Sequence, residues 1–170
     1  MGGDLHLAQV NIAIPKEPPG GPLLAEFMAA LDPVNALADA TPGFVWRLQD
    51  EGGNATAIRA FDEDTMVNMS VWASLEALRA FVYSNRAHLD IMRRRREWFE
   101  SHAQAFQALW WIPAGHIPTV AEAEGRLQAL RARGPSPEAF TFRRHFPAAT
   151  GSDARAGTGV DDDRWLCPAG

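Results

Sequence analysis

Several common features are scarce in this chain, and each shortage removes a class of function. There is one cysteine, Cys167, so no internal disulfide can form and a reducing, cytoplasmic setting is expected. No apolar run approaches the roughly 20 residues of a membrane-spanning helix. The opening MGGDLHLAQV has neither a basic start nor an apolar stretch, so no secretory signal is expected. Its Met-Gly start lacks the Ser or Thr that myristoylation requires. Lys and Arg total 16 against 21 Asp and Glu, a net charge of -5. Nucleic acid calls for a basic surface, so no nucleic-acid partner is expected. The histidines, His6, His88, His102, His116 and His145, are scattered without metal-ligand spacing, so no metal is expected. The glycines of PPGGP lack the strand-then-helix setting of a phosphate loop. There is no Gly-x-Ser-x-Gly nucleophile elbow and no internal repeat.

What remains is an ordinary soluble composition: 170 residues, 46% hydrophobic and 22% charged, enough for one domain with a core. Residues 5–14, LHLAQVNIAI, alternate as a strand, with Ala8, Val10, Ile12 and Ile14 on one face and Leu7, Gln9 and Asn11 on the other. A helix follows from about Leu23 to Leu31. Asp32-Pro33 reads as a new start or a kink. FVWRLQ (44–49) and MVNMSVW (66–72) are strands, and residues 57–61 a short third one. Ser74 caps a helix that breaks near Ser84-Asn85 and restarts. QALWWI (107–112) is a strand. Thr119 and Glu122 form a capping box for a helix to about Arg133, stopped by Gly134 and Pro135. Residues 140–146 close as a strand. The order β-α-β-β-α-β is the ferredoxin-like α+β plan, an antiparallel sheet with an extra C-terminal helix and strand. Residues 1–147 form the domain. Residues 148–170 read as a flexible acidic tail, with Asp161–Asp163 as solvated charge.

Residues 87–99 contain RRRR, which first suggests a polyanion patch. On a helical wheel, however, His88, Ile91, Met92, Arg95, Trp98 and Phe99 share one stripe. Asp90, Arg93 and Glu97 fall opposite, with Arg94 and Arg96 at the flanks. Arg95 alone of the four arginines lies in the apolar stripe with His88. The bland readings are a hydrogen-bonded core histidine, a snorkelling or ion-paired arginine and core aromatics. The sheet adds Gln9, Asn11, Asn68 and Ser70 on faces that also carry tryptophan. Buried polar groups need partners, so these four point to a lined cavity or to interstrand hydrogen bonds. Trp46 and Trp72 would be wet on a mixed face left bare, so a second copy packed sheet to sheet is expected as a cover.

TPGFVWRLQ, followed by VNMSVWASLEALRAFVYSNRAH, resembles the antibiotic biosynthesis monooxygenase superfamily of dimeric α/β barrels. AQVNIA, PGFVWRLQDEGGNAT, NMSVW, RRRREWF and LWWIPAGHIPTVAEA, across residues 5–146, resemble an uncharacterised bacterial domain family within it. The resemblance implies a homodimer with a cavity between each sheet and its helices, and small-molecule chemistry that ranges from cofactor-free oxygenation of polyketide quinols to heme degradation. In the heme-degrading branch the site positions correspond to Asn11, Phe81 and His88, although that branch has Trp where Phe81 stands.

The leading expectation is an enzyme acting on an apolar, aromatic or polyketide-like substrate without a cofactor. Its catalytic residues are His88 as acid or base, Arg95 as holder of a carboxylate or oxyanion, and Asn11. Gln9, Asn68 and Ser70 orient substrate oxygens, and Trp46, Trp72, Phe81, Met92 and Trp98 wall the pocket. One alternative is a heme protein with His88 as axial ligand. Another is a non-catalytic ligand-binding dimer.

Overall fold

The computed structural model describes residues 4–149 and the backbone of 157–158. The elements run β1 (Leu5–Ala13), α1 (Pro22–Asp39), β2 (Phe44–Arg47), β3 (Met66–Trp72), α2 (Leu75–Ser84), α3 (Arg86–Trp98), β4 (Gln107–Pro113), α4 (Val120–Arg133), β5 (Arg144–His145) and β6 (Gly157–Thr158). The first four strands make one antiparallel sheet in the order β2-β3-β1-β4. That order and the helix placement are the expected ferredoxin-like plan.

Local chemistry explains most boundaries. Ser74, Asn85 and Thr119 each accept a backbone N–H through the side chain and start α2, α3 and α4. Gly134 follows α4 at φ 74°, a conformation that suits glycine. Pro33 does not break α1, which runs through it as one helix of 18 residues. Leu24 before it and Ala38 after it are both buried. Packing on both sides of the proline outweighs the one hydrogen bond it removes. Residues 57–61 form no strand and contribute only the Arg59–Met66 bridge. The expected strand at 140–146 is also broken up. Phe140 bridges to Leu109, and β5 pairs with β6. The expected tail at 148–170, with Cys167 and Asp161–Asp163, lies largely outside the described residues, and its Gly157–Thr158 pair is strand.

The sheet has two unlike faces, and the chain covers both itself. Ala8, Val10, Ile12, Val67, Met69 and Val71 lie under α4, through Ala123, Leu127 and Leu130. The mixed face carries Leu7 and Trp72, packed with Leu75, Leu78, Phe81, Phe140 and Phe142. Trp72 is 1% exposed. The premise for a second copy as cover is therefore corrected: α1, α2, α3 and the segment around Phe140 shield the mixed face within one protomer. The space that remains between that face and α1–α3 is the cleft.

Candidate functional site

The cleft floor is a ladder of polar side chains set by strand register. Gln9 pairs with Ser70 and Asn11 with Asn68 across β1 and β3. Arg47 of β2 pairs with Ser70 on the other side. Trp72 Nε1 donates to Ser70 Oγ at 2.9 Å, and Gln9 Nε2 donates to the same oxygen at 3.2 Å. Gln9 Nε2 also donates to Asn68 Oδ1 at 2.9 Å, and Asn11 Nδ2 reaches that oxygen at 3.4 Å. These bonds satisfy the buried end of the ladder. Asn68 is exposed and Asn11 half-buried, so the cleft opens to solvent beside them.

The roof is α2 and α3. Asn85 ends the first and caps the second, and its Oδ1 accepts the backbone N–H of His88 at 3.2 Å. That cap fixes His88 in the first turn of α3. His88 Nδ1 lies 3.3 Å from the Val82 carbonyl, and the ring sits 4.9 Å from the Phe81 ring. A carbonyl can only accept, so Nδ1 carries the proton in that bond. Nε2 then holds a lone pair and has no hydrogen-bond partner among the described residues. Burial pushes the imidazole pKa below its ordinary value, partly offset by the Val82 bond. Burial thus favours the neutral imidazole at the cleft wall.

Of the run of four arginines, Arg93, Arg94 and Arg96 are exposed and Arg95 is turned inward. Arg94 is tied to Glu26 and Glu97, and Arg93 to Asp90. Arg95 has no carboxylate partner among the described residues. It donates to the Ile12 carbonyl at 2.8 Å and lies over the Phe106 ring at 4.5 Å and the Phe99 ring at 5.6 Å. Desolvation pushes its pKa down to about 10, which leaves it cationic at neutral pH. The nearby His102 stacks on Phe106, and burial followed by the charges of Arg95 and Arg131 lowers its pKa. Among the described residues, no carboxylate compensates the positive charge in this corner of the cleft.

The cleft has two compartments, of about 80 and about 140 Å³. Asn11, Asn68, His88, Met92, Arg95 and Arg47 line both. Gln9, Ser70, Trp72 and Phe81 line only the smaller. Most of the expected site residues thus converge: His88, Arg95, Asn11, Gln9, Asn68, Ser70, Trp72, Phe81 and Met92.

Two do not, and each has a physical reason. A β-bulge between Phe44 and Trp46 inserts a residue into β2. Alternation then restarts out of phase, so Phe44 and Arg47 face the cleft while Trp46 packs on the opposite face. Trp98 turns away towards α1, with its ring 5.5 Å from Phe27 and its side chain in a buried cluster with Leu24. Helical geometry stops at Trp98. Phe99, in extended conformation, takes the wall position instead. Arg47, Asn35, Phe106 and Gln107 are cleft residues that were not anticipated. Gln107 pairs with Asn11, so the period-two pattern of QALWWI could have found it.

Heme was an expected alternative. His88 Nε2 is an available donor, but a tetrapyrrole needs one broad flat slot beside its axial ligand. Phe81 packs beside the imidazole at 4.9 Å, and the space next to it consists of two adjoining compartments. No cluster of three His, Cys, Asp or Glu side chains able to hold a metal occurs among the described residues.

A family model described as a domain of unknown function, DUF3291, matches residues 6–156. No curated protein matches the chain. Solved structures similar to it include NE2512, a protein of unknown function from Nitrosomonas europaea, at 17% identity over 69% of this chain and 99% of that one, with a TM-score of 0.44. SnoaB, a cofactor-independent oxygenase from Streptomyces nogalater, shares 19% over 66% of this chain and 95% of its own, with a TM-score of 0.40. Rv0793 from Mycobacterium tuberculosis shares 14% over 67% and 99%, with a TM-score of 0.46. Likeness at this level transfers no chemistry.

Proposed function

The chain belongs to the DUF3291 family, whose description assigns no activity, and from the cleft itself we propose a small-molecule enzyme that moves a proton on a largely apolar acidic substrate. The observation that carries this is one pairing. A neutral imidazole and a guanidinium line the same cleft, and among the described residues Nε2 of the first is unengaged and the second has no counter-ion. His88 accepts a proton from an acidic O–H or C–H of the substrate. The electron pair left on the substrate becomes an enolate or phenolate, and Arg95 holds that oxyanion. Asn11 and Asn68 bond a second substrate oxygen, while Trp72, Phe81 and Met92 bound the apolar part. Dioxygen attack on such an anion is the route by which the same site would serve cofactor-free oxygenation, with dioxygen as co-reactant.

The test uses small aromatic and polyketide-like 1,3-dicarbonyl acids, selected by thermal stabilisation of the protein. Exchange of their acidic carbon-bound hydrogen in deuterium oxide is then followed by proton NMR. The parent is expected to accelerate exchange, and His88→Gln to lose about 10²–10⁴-fold, the usual worth of a positioned acid or base. Arg95→Met is expected to weaken binding by about tenfold or more, the worth of a charged hydrogen bond. Equal exchange in parent and His88→Gln would overturn the catalytic role and leave a ligand-binding protein.

A further inference from the structure

The two compartments differ in character, and this difference points to a particular substrate shape. The smaller carries the polar ladder, Gln9 and Ser70, together with Trp72 and Phe81. The larger adds mostly apolar side chains that the smaller lacks: Ala13, Phe27, Leu31, Met66, Ile91 and Phe99. Arg95, His88, Asn11 and Asn68 stand where the two meet, since they line both. A compact polar molecule would leave the larger chamber bare, and a wholly apolar one would leave Arg95 without a counter-ion. Both demands are met by one molecule with an anionic head at the junction and an apolar tail in the larger chamber.

One wall of that chamber is tied down. Leu48, Asn54, Ala55 and Thr56 come from the loop after β2. Arg47 pins this loop to the end of α1. Its Nε and Nη2 donate to the two Asp39 carboxylate oxygens at 2.8 and 3.2 Å, and its Nη1 donates to the Gly53 carbonyl at 2.7 Å. A planar guanidinium fork engaged on both sides makes a rigid tie. Asn54 Oδ1 accepts from Thr56 and stiffens the loop tip. The loop side of the chamber is therefore held in place.

We propose that the substrate is an amphiphilic acid, and that the larger chamber, bounded by Leu31 of α1 and Ala55 of the pinned loop, selects it by tail length. This rests on the reading of the cleft as a small-molecule site. Each methylene added to the tail buries apolar surface until the chamber is full, after which further length extends into solvent and buries nothing more.

The experiment is calorimetric titration of the full-length protein with straight-chain carboxylates of increasing length, and with primary alcohols of matching length. Affinity is expected to rise about fourfold per methylene, the worth of burying one CH₂, and then to stop rising. The alcohols should bind more weakly at every length. Leu31→Trp narrows the larger chamber and is expected to move the plateau to shorter chains. Ala55→Phe attacks the same chamber from the loop and serves if the tryptophan variant does not fold. An affinity independent of length, or a plateau unmoved by either variant, would overturn the tail chamber while leaving the cleft reading intact. Equal binding of alcohols and acids would overturn the anionic head. Binding of no carboxylate or alcohol, together with failure of the dicarbonyl acids above, would overturn the cleft reading itself.

Discussion

His88 titrates in an environment that resists its charge. Burial lowers its pKa from the ordinary 6.5, so the folded protein binds fewer protons near neutrality than the unfolded chain does. Above the unfolded value both states hold a neutral ring and pH has no leverage. As pH falls through 6.5 the unfolded chain takes up the proton first, and stability is lost until pH passes the lower folded pKa. Chemical denaturation at pH 7 and pH 5 should show a larger loss of midpoint in the parent than in His88→Gln. His102 shifts in the same direction and remains in both proteins, so the comparison isolates His88. Equal losses would mean that the imidazole is not desolvated. This inward placement was legible in the sequence. The wheel separated Arg95 and His88 from Arg93, Arg94 and Arg96, because exposure on a single helix follows its period. It failed at Trp98, where the helix ends and the period ends with it.

At the scale of elements, two short motifs place the site. Gly43, within TPGF, has φ +87°, and a Cβ there would lie 2.5 Å from Ala77 Cβ on α2. Its carbonyl accepts the Ala73 N–H at 2.7 Å. The strand entry and the helix start therefore touch through a residue that has room only for hydrogen. Gly43→Ala is expected to destabilise by about 1–3 kcal/mol from backbone strain, with the steric overlap adding to it. A urea midpoint unchanged from the parent would show that this corner yields. Asn85 is the second motif: Asn85→Ala removes the cap of α3, costs about 1 kcal/mol, and loosens the turn that carries His88. The caps at Ser74 and Thr119 were readable because each rests on a residue type at a fixed distance from its first helical turn, whereas at Ser84-Asn85 only the break was readable. The bulge in β2 was not. Nothing in FVWRLQ signals the extra residue, since a bulge is set by how two strands meet. That one insertion moved Trp46 to the far face and brought in Arg47.

For the molecule as a whole, the ferredoxin-like plan followed from the alternation of helix and strand patterns, but the cover of the sheet did not. Counting faces left one bare and called for a second copy. The chain instead spends α4 on the apolar face and α1–α3 on the mixed one, contacts too distant in sequence for pattern to reveal. No described helix is long and apolar enough to cross a membrane. A homodimer stays a proposal, now without an uncovered face to drive it. The fold of one chain brings His88, Arg95, Asn11 and Asn68 together in the cleft. If those four residues are the working site, binding is expected not to depend on assembly, because they need no partner to meet a ligand. Light scattering across a dilution series fixes the oligomeric state, and ligand titration at the same concentrations reads the affinity. The expected result is one dissociation constant throughout, whatever the scattering shows. An affinity that falls as copies separate would place part of the working site on a neighbouring chain, with the opening beside Asn11 and Asn68 as the side on which it enters.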